Sequence, residues 1–118
     1  MFKLIYKDKT IGTSLLESGD PSNCSASGAL TGAGSAIALS QWIMDNGGAE
    51  DDNVFLLELD KSALLMLNDS VPIPFAEGSI ICAPEGDEIY LELVGIPGPE
   101  YAQYFPQHVA SLPVDGEG

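Results

Sequence analysis

The segment Thr31-Gly32-Ala33-Gly34-Ser35-Ala36-Ile37-Ala38-Leu39-Ser40 reads as a glycine loop opening a helix. Such loops hold phosphate where backbone N–H groups and the positive end of a helix dipole converge. A phosphate loop also needs a Lys-Ser or Lys-Thr pair after its last glycine, and a dinucleotide fingerprint needs three glycines at fixed spacing directly after a strand. Gly28, Gly32 and Gly34 match neither pattern, and no Lys or Arg lies between Lys9 and Lys61. The segment therefore predicts a flexible loop feeding an N-capped helix, and no cofactor.

Nucleophilic catalysis requires a base beside the nucleophile. The chain has one histidine, His108, and two cysteines, Cys24 and Cys82, too few and too far apart for a zinc constellation. Free thiols and no metal site are expected. Nothing near Cys24 resembles an activated nucleophile, so no catalytic residue is assigned. Glu50-Asp51-Asp52 lacks calcium-loop spacing and reads as a solvated acidic turn.

Aromatic residues speak to recognition instead. Tyr101, Tyr104 and Phe105 cluster beside Pro97, Pro99 and Pro106, and Tyr90 stands on the polar side of an alternating stretch. Aromatics on rigid, proline-bracketed segments make binding anchors, and they close cores equally well.

The charge balance narrows the classes of partner. Eighteen acidic residues face four lysines and no arginine, a formal net charge of −14, and Lys3, Lys7 and Lys9 all lie in the first nine residues. A field of that sign repels nucleic acid and anionic membranes and attracts basic surfaces with salt-sensitive rates. Acidity for solubility alone is the competing explanation. The N-terminal apolar run is too short for a signal peptide and no stretch approaches a membrane span, so the expected location is cytoplasmic.

At 118 residues and 45% hydrophobic content, the chain is expected to form one domain over 1–118 with its own core. Phe2 to Tyr6 and Thr10 to Leu16 flank Lys7-Asp8-Lys9 and predict a starting hairpin. Residues 18–34, rich in Gly, Ser and Thr, read as a long irregular loop. Ser35 suits an N-cap, with Ala36, Leu39, Trp42 and Ile43 on one helical stripe until Asn46-Gly47-Gly48. Val54 to Leu59 is strand-like, Lys61 to Leu67 is ambiguous, and Ser79 to Cys82 suggests a short buried strand. Glu88, Tyr90 and Glu92 alternate with Ile89, Leu91 and Leu93, the clearest strand pattern in the chain. Residues 100–105 suggest one or two helical turns, and 113–118 a frayed tail. The expected fold is α+β: an antiparallel sheet with an N-terminal hairpin and one main helix packed on it.

Ile11-Gly12-Thr13-Ser14-Leu15-Leu16-Glu17-Ser18-Gly19-Asp20-Pro21 resembles the opening Ile-Gly-x-Ser-x-Leu-Glu-x-Gly-Asp-Pro pattern of a family of small uncharacterised bacterial proteins. Gly95-Ile96-Pro97-Gly98-Pro99-Glu100-Tyr101 and Phe105-Pro106-Gln107-His108-Val109 are similar to the closing segment of that family. The likeness covers about a quarter of the chain, and Ser22 to Ser27 departs from the family pattern. It implies a shared fold and carries no activity; some such proteins look like immunity proteins of toxin systems.

The leading expectation is a non-catalytic acidic binding protein, of immunity or inhibitor type, that covers a basic site on a protein partner such as a toxin. Its expected contact residues are Glu50, Asp51, Asp52, Glu88, Tyr90, Glu92, Tyr101 and His108. The alternatives are a small enzyme or ligand-binding protein using His108, with Cys24 as its candidate partner, near the 18–34 loop, and a structural accessory protein whose charge serves only solubility.

Overall fold

The computed structural model describes residues 1–60, 63–68, 70–106 and 108. In chain order it forms β1 (Phe2–Tyr6), β2 (Lys9–Ser14), β3 (Ser18–Asp20), β4 (Ser25–Ala29), α1 (Ala36–Asp45), β5 (Ala49–Asp51), β6 (Val54–Leu59), β7 (Ala63–Leu67), β8 (Val71–Ile73), β9 (Glu77–Ala83), β10 (Glu88–Val94) and α2 (Gly98–Tyr104). All strand pairs are antiparallel, and the α+β expectation holds.

The strands divide between two sheets rather than one. The four-stranded sheet has the order β2-β1-β7-β8 and the six-stranded sheet β3-β4-β10-β9-β6-β5. The N-terminal hairpin thus lies in a different sheet from β6, β9 and β10, with which it was expected to share one sheet. Among the described residues one isolated bridge, Thr13 to Thr31, forms through reciprocal backbone bonds of 2.8 and 2.7 Å. Both sheets contribute to one apolar core, in which Leu4, Leu65, Ile80, Leu91, Leu93 and Phe105 are fully buried.

Two hairpins turn on two residues each. Lys7 and Asp8 (φ 52° and 65°) join β1 to β2, and Asp52 and Asn53 (φ 51° and 63°) join β5 to β6. Two left-handed residues in succession make the turn whose twist matches that of the flanking strands. Asp and Asn tolerate that region better than most side chains. The acidic run is therefore part strand and part turn. Glu50 also has a local task, its Oε2 accepting the Asn53 N–H at 2.8 Å.

The 18–34 segment is not one irregular loop. It holds β3, a single 3-10 turn and β4, with β4 paired to β10 over Tyr90–Ala29, Leu91–Gly28, Glu92–Ser27 and Leu93–Ala26. Ser, Ala and Gly have weak strand preference, which is why local reading missed β4; pairing with an alternating neighbour overrides it. Small residues are also what the space allows. A Cβ on Gly28 would stand 2.6 Å from Glu17 Oε2 and 2.8 Å from Ser14 Oγ. Of the ambiguous 61–67 segment, Ala63–Leu67 form strand β7, and Lys61, Ser62 and the expected frayed tail lie outside the described residues.

The helix forms where its capping residue and apolar stripe place it. Ser35 is extended (φ −76°, ψ 153°) and its hydroxyl accepts from Ala38 N, while Ala36, Leu39 and Ile43 are buried. Two further contacts tie its start to the six-stranded sheet: Asp87 Oδ1 accepts the Ala36 N–H at 3.0 Å, and the Cys82 thiol donates to the Ala36 carbonyl at 3.1 Å. Burial, with the nearby Asp87 charge adding to it, pushes the Cys82 thiol up. Cys82 and Cys24 are both free thiols.

Candidate functional site

The six-stranded sheet has two unlike faces. Paired residues of antiparallel strands project to the same side, so register sorts the side chains. Leu57, Ile80, Leu91 and Gly28 fall in one row and are buried beneath α1 and the core. The next row, Leu56–Ile81–Tyr90–Ala29, falls on the opposite side, with Leu56 and Tyr90 exposed and Ile81 half-buried. No described helix covers that side.

Beside this apolar row runs a polar one, Glu58–Ser79–Glu92–Ser27–Ser18. Glu88 flanks it from the other direction, paired with Ala83, and Asp51 pairs with Val54 at the sheet edge. No lysine belongs to any strand of this sheet. The face is thus an aromatic and aliphatic centre bordered by carboxylates. Glu92 borders two shallow clefts: one of about 290 Å³ with Glu17, Ile81 and Tyr90, and one of about 230 Å³ with Glu58, Glu77 and Val94. Tyr90 is 42% exposed, and its hydroxyl donates to Glu88 Oε2 at 3.2 Å. The Glu88 charge, and then this hydrogen bond, push the phenol up.

Of the eight expected contact residues, the structure brings Glu88, Tyr90 and Glu92 together on this face and sets Asp51 at its edge. Asp52 lies at the tip of the β5–β6 turn, and Glu50 is exposed on the edge strand while serving that turn. Tyr101 and His108 do not join them. They are 2% and 5% exposed, packed inside against the β3–β4 segment, so a contact surface on this chain excludes both. Leu56, Ile81, Glu58 and Glu77 belong to the face and escaped sequence reading. Their signal was parity with Glu58 in Val54-Phe55-Leu56-Leu57-Glu58-Leu59, obscured because the outward row is itself apolar.

The internal cluster explains the residues of the two terminal motifs in architectural terms. The Tyr101 hydroxyl donates to the Ser25 carbonyl at 2.8 Å and lies 3.0 Å from His108 Nδ1. Its single proton is committed to Ser25, so His108 Nδ1 carries the hydrogen of the second bond. The imidazole stacks on Phe105 at 5.2 Å and 16°, and Phe105 stacks on Phe2 at 5.0 Å. Gly19 completes the fit, because a Cβ there would stand 2.6 Å from the Tyr101 hydroxyl and collide with His108 Nδ1. Asp20 locks the adjoining turn: Oδ1 accepts the Ser22 N–H and hydroxyl (3.1 and 2.6 Å), and Oδ2 accepts from Asn23 Nδ2 at 2.7 Å. The Ser22 hydroxyl bond is the main cause holding the Asp20 carboxyl below its usual range.

No family model matches the chain, and no curated protein or solved structure matches it. Function therefore rests on the geometry alone. His108 and the β3–β4 segment do meet, as the enzyme alternative requires; Nδ1 is engaged by Tyr101, and Nε2 is buried with no hydrogen-bond partner among the described residues. A general base must lie within hydrogen-bond reach of a substrate proton, and His108 is 5% exposed. Among the described residues no group of three or more His, Cys, Asp or Glu side chains could hold a metal ion, and no helix is long and apolar enough to cross a membrane.

Proposed function

We propose that this chain is a non-catalytic binding protein of inhibitor or immunity type, which covers a basic site on a protein partner with the open face of its six-stranded sheet. The observation that carries this reading is the position of Tyr90: exposed, central in an apolar row, and bordered by Glu88 and Glu92 with no lysine on any strand of the sheet. Apolar anchors ringed by charge suit docking, where the charge steers encounter and the anchor slows release. The same charge opposes pairing of this face with a second copy, since like carboxylates would be brought together. A basic partner, such as a toxin whose active surface is cationic, removes that conflict.

The test immobilises the chain, captures a partner from lysate of its own source at low salt, and then measures association of the purified partner. The on-rate is expected to fall steeply with added salt, and again in a Glu88→Lys, Glu92→Lys double variant, while Tyr90→Ala accelerates dissociation. On-rates indifferent to salt and to both charge reversals sink the proposal.

A further inference from the structure

Tertiary structure supplies the glycine loop with the cation it lacks in sequence. A cleft of about 340 Å³ lies between the start of β2, the loop at Gly32 and Gly34, and α1, with Ile11, Leu39 and Trp42 as apolar walls and Lys9 at its edge. It is on the α1 side of the molecule, away from the open sheet face. We infer that this cleft is a binding site for a small monocarboxylate with an aromatic body, the ring against Trp42 and the carboxylate on Lys9.

Four observations carry the inference. The volume falls in the range of small-molecule sites, and apolar walls with one placed charge are their usual chemistry. The second is the freedom of Lys9. Lys7 reaches Asn46 Oδ1 at 3.5 Å and stands 5.3 Å from the Tyr6 ring centre, whereas the Lys9 side chain makes no hydrogen bond, ion pair or ring contact with any described residue. Third, Gly32 and Gly34 adopt φ of +79° and +85° and have open space where a Cβ would stand, so the mouth is clear of side chains. Fourth, two of the free N–H groups at the helix N-terminus already have acceptors: Asp87 takes the Ala36 N–H and Ser35 the Ala38 N–H. That internal carboxylate repels a second anion at the helix end and disfavours a dianionic phosphate cradled there. Recognition of negative charge falls to one lysine, which matches one carboxylate.

Trp42 is the single tryptophan of the chain, so its fluorescence reports on the cleft directly. The experiment titrates the whole protein with 3-phenylpropionate and, separately, with the neutral 3-phenylpropionamide. The acid is expected to change Trp42 emission saturably and to bind about fivefold more tightly than the amide, the scale of an exposed ion pair. Lys9→Met, at an exposed position outside the core, is expected to abolish the difference between acid and amide. A net charge of −14 works against every anion, so a preference for the acid identifies a local cation. Equal binding of acid and amide, a preference that survives Lys9→Met, or no saturable response to either ligand overturns the inference. Amide shifts of Gly32 and Gly34 in a nitrogen-15 spectrum provide a second reading of the same titration.

Discussion

The Tyr101 hydroxyl bridges His108 Nδ1 and the Ser25 carbonyl, at 3.0 and 2.8 Å, and so ties α2 and the turn after it to β4. Nearby, Ile96 N donates to the Cys24 carbonyl at 3.2 Å, which draws the same two stretches of chain together. Residues more than seventy positions apart thereby form one buried clasp, and Gly19 is the place where it leaves no room for a side chain.

Gly19→Ala is expected to lower stability by about 1–3 kcal/mol, the usual cost of overpacking. The sign is informative, because Gly19 is in a strand and alanine there would otherwise be favoured by chain entropy. Urea denaturation of the two proteins measures it; an unchanged or raised midpoint means that the clasp yields freely.

Tyr101→Phe keeps the ring and removes the hydroxyl, leaving the Ser25 carbonyl and His108 Nδ1 without their partner. The expected loss is about 1–3 kcal/mol at neutral pH. Burial is the main cause that raises the Tyr101 phenol above its ordinary 10.0, with Cys24 and Asp20 adding to it. Below pH 10 both folded and unfolded states hold the proton. Above it the unfolded state loses the proton first, so stability falls as pH rises toward the folded value. Urea midpoints followed into the alkaline range are expected to decline, and less steeply in Tyr101→Phe. Tyr6, raised by burial and then by Asp60, sustains the remaining slope in the variant.

The two faces of β10 separate folding from recognition. Leu91→Ala is expected to cost about 2–5 kcal/mol, as for a fully buried aliphatic side chain. Tyr90→Ala, one residue away, removes an exposed side chain held by cross-strand neighbours and a surface hydrogen bond to Glu88, and is expected to cost about 1 kcal/mol or less. Thermal or chemical denaturation compares the pair. A loss at Tyr90 as large as that at Leu91 would mean that the outer face is part of the folding core.

Asp87 is expected to act through its charge and its backbone together. It sits at φ 51°, and its carboxylate accepts the first free N–H of α1. Asp87→Ala loses the cap and strains the left-handed position, with an expected cost of about 1–3 kcal/mol. Asp87→Asn retains an acceptor and tolerates the conformation, so most of the stability is expected to remain. Circular dichroism melts of both variants distinguish these outcomes.

Local order was legible where neighbouring residues create it. The Ser35 cap, the Ala36, Leu39 and Ile43 stripe and the stop after Asn46 locate α1, because helix bonds close within four residues. Alternation across Glu88 to Val94 located β10 and placed Tyr90 outward, because successive side chains of a strand point to opposite faces. The sequence by itself therefore determined the helix, the best strand, the hairpin starts and a charge that discourages nucleic acid. Only the tertiary structure decided that β1 and β2 pair in a separate sheet with β7, and that the small residues of 25–29 form a strand against β10. It also enclosed Tyr101 and His108 while leaving Tyr90 in solvent, and it set Lys9 beside Gly32 and Gly34. Each of these depends on contacts between distant segments, whose free energy comes from pairing and burial that no local window contains.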